Sequence, residues 1–298
     1  MTDTALPRSA QNAPPARSGP RVRLTGLGLL PFLIFATLFL LIPTFYLVVG
    51  SFLSPAGQFT LDNYAGLTKE VPLNAYLTSI EISFVTALAG GIFGFLMAYA
   101  VISGGPRRFR GALMTFSGVA SNFAGVPLAL AFIFTIGRTG LLTTFLVGLG
   151  FNPYDSGFSL YSKLGLEIVY FYFQLPLMIL IIAPAVDGLK REWREASENM
   201  GASTWQYWRY VALPVLFPSL LGAMILLFGN AFGAQATAYQ LTGGFINIVT
   251  ILIGNQLTGD VLHNVGAGYA LAMGMVGILA ITLIAYTFLQ QRSERWLR

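Results

Sequence analysis

Few residues in this sequence are able to do chemistry. The 298 residues include no cysteine and a single histidine, His263. Thiolate nucleophiles, disulfides, Cys-based metal sites and His-pair motifs such as HExxH are therefore excluded. No GxxxxGK[ST] run occurs, so the chain has no phosphate cradle of its own. No acids cluster for general acid–base work, and neither catalytic residues nor metal ligands are expected. Two kinds of feature remain. One is the polar stretch Asp187–Val215, in which Glu195-Ala196-Ser197 is followed by three residues, Gly201, nine residues and then Val211-Ala212-Leu213-Pro214. The other is a scatter of amides and hydroxyls inside apolar surroundings: Asn122, Gln174, Asn230, Gln235 and Tyr239. Such groups are costly at membrane depth unless they face the interior of a bundle.

The elements that must position these residues are long and apolar. The chain is 55% hydrophobic and 10% charged, with a mean hydropathy of +0.69. A soluble domain carries about 25% charge, so a soluble enzyme and a disordered chain are both excluded. Charge-free windows run over Leu24–Leu61, Ile82–Pro106, Gly111–Gly137, Ile168–Val186, Tyr210–Gly259 and Asn264–Gln291. About 20 helical residues cross the hydrocarbon. The windows therefore predict an all-α membrane protein with six spans, near 27–50, 81–103, 112–136, 166–187, 216–238 and 267–289. Two apolar pieces, Leu141–Leu149 and Phe245–Gly259, read as outer loop helices or re-entrant segments. Every Lys and Arg except Lys69, Arg138 and Lys163 then falls on one side. Basic residues mark the cytoplasmic side, which places both termini in the cytoplasm. Residues 1–23, rich in Pro, Ser, Ala and Arg, read as a disordered cytoplasmic tail. Residues 24–298 read as one transmembrane domain. The net charge of +5 reflects this sidedness and does not point to nucleic acid.

Small residues and prolines mark the packing. Gly90 and Gly94, Gly229 and Gly233, and Gly274 and Gly277 sit at spacings that let helices approach closely. Pro127, Pro176 and Pro184 fall within spans and are expected to kink or loosen them.

Asp187–Val215 is the long polar loop on the basic side. Leu189, Trp193, Ala196 and Met200 recur at helical spacing and form an apolar stripe beside charged flanks. Gly201 is a natural helix end. Ser203 or Thr204 can cap a second short helix running to about Trp208, and Pro214 and Pro218 open the next span. Trp193 and Trp205 read as partner-facing, and Trp208 and Trp296 as interfacial aromatics.

At this loop the sequence resembles the inner-membrane permease subunits of binding-protein-dependent ABC importers, which carry an EAA-x3-G-x9-I-x-L-P loop before their penultimate span. The spacing matches throughout, with Ser197 in place of the family alanine and Val211 in place of isoleucine. The resemblance implies a six-helix permease of the bacterial inner membrane, with a cytoplasmic coupling helix between spans four and five that docks on a separate ATPase subunit. The residues that would carry coupling are Trp193, Glu195, Ala196, Ser197, Gly201, Ala202, Trp205, Leu213 and Pro214. ATP would be bound by the ATPase subunits, with no cofactor on this chain. The other implied partners are a second permease subunit, identical or homologous, an extracytoplasmic solute-binding protein, and the lipid bilayer.

Within that family SNFAGVPLALAF in the third span and the GGF after the fifth are similar to the polyamine branch, which implies a spermidine- or putrescine-like solute. Importers of iron, sulfate, thiamine and phosphonate belong to the same branch and remain alternatives. Asn122, Gln174, Asn230, Gln235 and Tyr239 either line the solute path or serve as hydrogen-bond glue between helices. Glu81 and Glu167, at the outer ends of spans two and four, either greet a cationic solute or complement helix N-termini. An ion-coupled secondary transporter is the competing class. It tends to place ionisable groups at the midplane, whereas here they sit at the span edges.

Overall fold

The structure, a computed structural model, describes residues 29–104, 106–258 and 264–294. The expected tail at 1–23, His263 and Trp296 lie outside the described residues. The chain divides into two compact units, one ending at Tyr46 and the other starting at Leu47. In the first unit nearly every described residue is exposed, with Phe32, Phe35, Phe39 and Phe45 among them.

In chain order the helices are α1 (Leu30–Ala36), α2 (Ile42–Ser51), α3 (Asp62–Ala65), α4 (Glu70–Gly104), α5 (Arg107–Asn122), α6 (Gly125–Ile136) and α7 (Leu141–Gly148). They continue with α8 (Lys163–Asp187), α9 (Arg191–Asn199), α10 (Thr204–Tyr207), α11 (Leu213–Phe232), α12 (Gln235–Thr242), α13 (Val249–Thr258) and α14 (Val265–Glu294). Six stretches are long and apolar enough to cross a membrane: Leu30–Ser51, Glu70–Gly104, Gly125–Gly148, Lys163–Asp187, Thr204–Phe232 and Val265–Gln291. Among the described residues extended pairing is limited to an isolated bridge between Leu53 and Phe59.

Two of these stretches contain a wide π turn, and the same residue type follows each. Ile42 N–H bonds to Thr37 O just before Pro43, and Leu213 N–H bonds to Trp208 O just before Pro214. Proline lacks the donor and its ring crowds the carbonyl four residues back, so a wider turn upstream absorbs the misfit. The fifth stretch is thereby continuous from Thr204. The sequence reading of a separate short helix ending near Trp208 is corrected: prolines 214 and 218 are carried within one long helix.

The centre of the second unit is α8 against α4, the most extensive helix pair. Two glycines permit it. A Cβ at Gly90 would lie 2.7 Å from Gln174 Cβ, and one at Gly94 would lie 2.6 Å from Met178 Cβ. Neither space exists for a side chain, so this pair of small residues sets the helix separation. The same holds for Gly274, whose Cβ would meet the Tyr76 ring, while the Tyr76 hydroxyl donates to Leu271 O. Gly229 and Gly233 pack less closely, the nearest atoms to their Cβ positions being 3.6 Å and 3.5 Å away.

Three span boundaries differ from the sequence reading. The stretch 112–136 is interrupted: α5 ends at Asn122, Ala124 is extended at φ −138° and ψ −178°, and α6 starts at Gly125 with φ +72°. The apolar stretch of membrane length is Gly125–Gly148, in which α6 and α7 are joined by a turn. Hydropathy sums over a window and does not register a backbone break. Pro127 accordingly sits in the first turn of α6, where its missing N–H leaves no bond unmade, and it is not a kink. The fifth span ends at Phe232 and not at 238, since Ala234 (φ −77°, ψ 89°) starts a new helix, α12. Helix α4 begins at Glu70, so Glu81 lies in its interior, where it pairs with Lys163.

Candidate functional site

Two regions gather the polar residues. The first is the loop between α8 and α10. Asp187 closes α8 and pairs with Arg110 of α5, fixing where the loop departs. Helix α9 ends in a Schellman arrangement: Gly201 N–H donates to Glu198 O at 2.9 Å and Ala202 N–H to Ser197 O at 3.0 Å, with Gly201 at φ +79°. That left-handed conformation is one that glycine adopts without strain. Two residues later Ser203 and Gln206 form a reciprocal capping box that starts α10. Helix, tight reversal and helix are thus held by local hydrogen bonds alone.

The loop buries little of itself. Ser197 is 4% exposed and its hydroxyl donates to Arg194 O at 2.8 Å, and Tyr207 is also buried. The apolar stripe drawn from sequence spacing faces the other way. Ala196 is exposed, Trp193 is 37%, Trp205 68% and Met200 81% exposed. Arg191 pairs with Glu195 and Arg194 with Glu198, one helical turn apart at 2.8 Å and 2.9 Å. The bonded Glu198 carboxylate holds the Arg194 guanidinium above its usual pKa. Lys190 Nζ lies 5.9 Å from the Trp193 ring centroid. Leu213 and Pro214 begin α11. The Trp208 ring meets Tyr99 of α4 edge-on at 4.6 Å.

The second region lies where α5 gives way to α6 and α11 to α12. The two breaks, 112 residues apart, touch. Around them is a cavity of about 540 Å³ lined by Ser121, Asn230, Gln235 and Thr237, by the small residues Ala124, Gly125, Gly233 and Ala234, and by Phe173. None of its lining residues is ionisable. Phe173 is the eleventh of the 25 residues of α8, roughly 15 Å along the helix at 1.5 Å per residue, so the cavity lies level with the middle of α8. Thr237 Oγ1 accepts from Gly125 N–H at 2.9 Å and donates to Gly125 O at 3.3 Å. The buried Tyr170 hydroxyl donates to Ala234 O. Non-helical backbone at this depth is tolerated when it is buried in protein or lines a watery cavity. Asn122, Phe123 and Ala124 are exposed on this chain, so the surface they form faces water or another polypeptide.

Of the pathway residues drawn from the sequence, Asn230 and Gln235 line this cavity. Gln235 does so from α12 and not from the fifth span, with its amide over Gly254 of α13. Tyr239 is on the next turn of α12 and is 53% exposed. Asn122 ends α5 and its amide donates to Gly118 O at 2.8 Å. Gln174 is fully buried and its Nε2 donates to Leu227 O at 2.8 Å, so it joins α8 to α11 and is not among the cavity's lining. Ser121, Phe173 and Tyr170 had no place in the sequence-based site. The Gly125-Val126-Pro127 run was the available sign, being a helix start inside an apolar window.

Comparison with known proteins agrees with this architecture. Residues 90–295 match the family described as binding-protein-dependent transport system inner membrane component, and the chain belongs to that family. The sulfate transport system permease protein CysT of Escherichia coli is 28% identical over 180 residues, covering 59% of this chain and 61% of the relative. A probable sulfate permease of Chlorella vulgaris is also 28% identical, with 60% of its length covered. These matches thus span about three-fifths of the sulfate relatives. The spermidine/putrescine permease protein PotB of Haemophilus influenzae is 24% identical, with 89% of this chain and 92% of the relative covered. Among solved structures, a bacterial ABC transporter for alginate import has a TM-score of 0.68 at 19% identity, over 91% of this chain and 95% of that one. The methionine transporter MetNI has a TM-score of 0.56 at 16% identity, over 76% of this chain and 98% of that one. The fold is that of ABC importer permeases.

Proposed function

We propose that this chain is one permease subunit of an ATP-driven importer, with α9 as the handle through which a cytoplasmic ATPase subunit moves the helix bundle. The observation that carries the reading is the polarity of α9: it anchors through Ser197 and leaves Trp193, Met200 and Trp205 uncovered. Apolar side chains so presented, rimmed by Glu195, Arg191 and Arg194, fit a pocket on another protein. Both termini are then cytoplasmic, a second permease subunit faces the broken-helix surface, and a solute-binding protein delivers cargo from the other side. A conformational cycle requires that ATP favour one state of the assembly over the other.

Of the solutes carried by its relatives, a small oxyanion of the sulfate type is the first candidate, supported by the sulfate permeases among them. Desolvated ions of either sign cost several kcal/mol each unless paired, and the lining offers no carboxylate to an ammonium group and no Lys or Arg to an oxyanion, so its amides and hydroxyls would have to serve. The polyamine reading is supported by the greater length shared with PotB. The test is ATP-driven uptake of labelled sulfate against labelled spermidine by the reconstituted complex, with and without Met200→Asp. Uptake of sulfate that Met200→Asp abolishes, together with loss of ATPase co-purification, is the expected result. Undiminished uptake by Met200→Asp would overturn the role of α9.

A further inference from the structure

We infer that Thr237 is a positioning residue that clasps the two helix breaks together, so that α6 and α12 move as one gate over the solute path. The inference rests on the reading of this cavity as that path. Four observations support it. Each helix pair is interrupted at the same level, at Phe123–Ala124 and at Gly233–Ala234. Beyond the breaks α6 and α12 pack chiefly on each other, whereas before them α5 packs on α8 and α11 on α4 and α8. The halves on either side of the breaks therefore belong to different bodies.

Thr237 is 3% exposed, and its hydroxyl uses its proton and an acceptor site on the same residue, Gly125. Gly125 N–H is one of the donors that a helix start leaves without an intrahelical partner. No other acceptor for it is present among the described contacts. Rotation about the first break thus carries Gly125 and pulls Thr237 with it, or breaks two hydrogen bonds in a dry setting where an unmade bond is expensive. Tyr170 restrains the second break from α8 through Ala234 O. One hinge is thus tethered to the static core and the other is tethered to the first, which makes the two motions a single one.

The test uses the whole reconstituted importer. Thr237→Val keeps the shape and removes both bonds, and Thr237→Ser keeps the hydroxyl. Thr237→Val is expected to lower solute moved per ATP hydrolysed by about fivefold or more, the low end of couplings between sites. Thr237→Ser is expected to restore the ratio. The absence of cysteine allows spin labels at Phe134→Cys on α6 and Tyr239→Cys on α12 in an otherwise native chain. Their separation is expected to change by less than about 2 Å, the scale of small shifts of packed helices, between nucleotide-free and ATP-trapped states, while the distance from either to α8 changes by more. A larger α6–α12 change would overturn the clasp even if Thr237→Val failed to assemble. ATP-driven uptake by the native complex with an unaltered ratio in Thr237→Val would overturn the clasp alone. A native complex that moves no solute in response to ATP would overturn the underlying reading.

Discussion

Helices α4 and α8 run on without interruption, whereas α5 gives way to α6 and α11 to α12 through breaks in the backbone. Both arrangements answer the same requirement, that backbone N–H and C=O groups in lipid be satisfied. The continuous pair satisfies them internally and joins through bare glycine surface, Gly90 and Gly94 against Gln174 and Met178. The broken pair satisfies them with side chains brought from elsewhere, Thr237 for Gly125 and Tyr170 for Ala234. The difference separates a static core from a surface able to rearrange. Close packing tolerates no added atom, while helix pieces joined at a break by a few hydrogen bonds are free to swing together.

The comparison can be broken most severely at Gly94. A Cβ there would also lie 2.9 Å from Leu175 O, so Gly94→Leu is expected to cost about 3 kcal/mol by overpacking. Thermal unfolding in detergent should show it, and Gly229→Ala, with 3.6 Å of clearance, should leave the midpoint nearly unchanged. Next comes Gly201→Val, which forces a branched side chain into a left-handed turn at φ +79°. A cost of about 1–2 kcal/mol falls on the shape of the α9 reversal, and ATP-driven uptake should fall about tenfold (1.4 kcal/mol per decade) while the bundle's unfolding midpoint hardly moves. Tyr170→Phe leaves Ala234 O without its donor and should cost about 1–3 kcal/mol, visible as faster hydrogen exchange confined to residues 232–237. Arg110→Ala is the mildest. The Arg110–Asp187 pair is roughly 40% exposed (42% and 38%), where such pairs contribute about 0–1 kcal/mol. Charge exchange in Arg110→Asp with Asp187→Arg should return whatever uptake the single changes remove.

Much of this protein was legible in one dimension. The number of membrane-length apolar runs, the helix stop at Gly201 and the cap at Ser203 depend on neighbours a few residues away, and all agree with the sequence reading, although three of the runs differ in their bounds. The face of α9 was legible in its residues: the stripe through Trp193, Ala196 and Met200, with Trp193 read as facing a partner, is exposed, and Ser197 is the residue the fold covers. Glu81, taken as a helix-end charge, proved to be an interior partner of Lys163, because α4 runs eleven residues beyond what hydropathy required.

The sequence by itself determined how many apolar rods there are and the local shape of the polar loop, since burial in lipid and capping act through short-range composition. Only the tertiary structure decided that α5 and α11 stop at breaks and give way to α6 and α12, and that Gly125 and Thr237 meet across 112 residues. A break is stable only when distant side chains reach its orphaned backbone groups, and no local pattern records which distant residue will arrive.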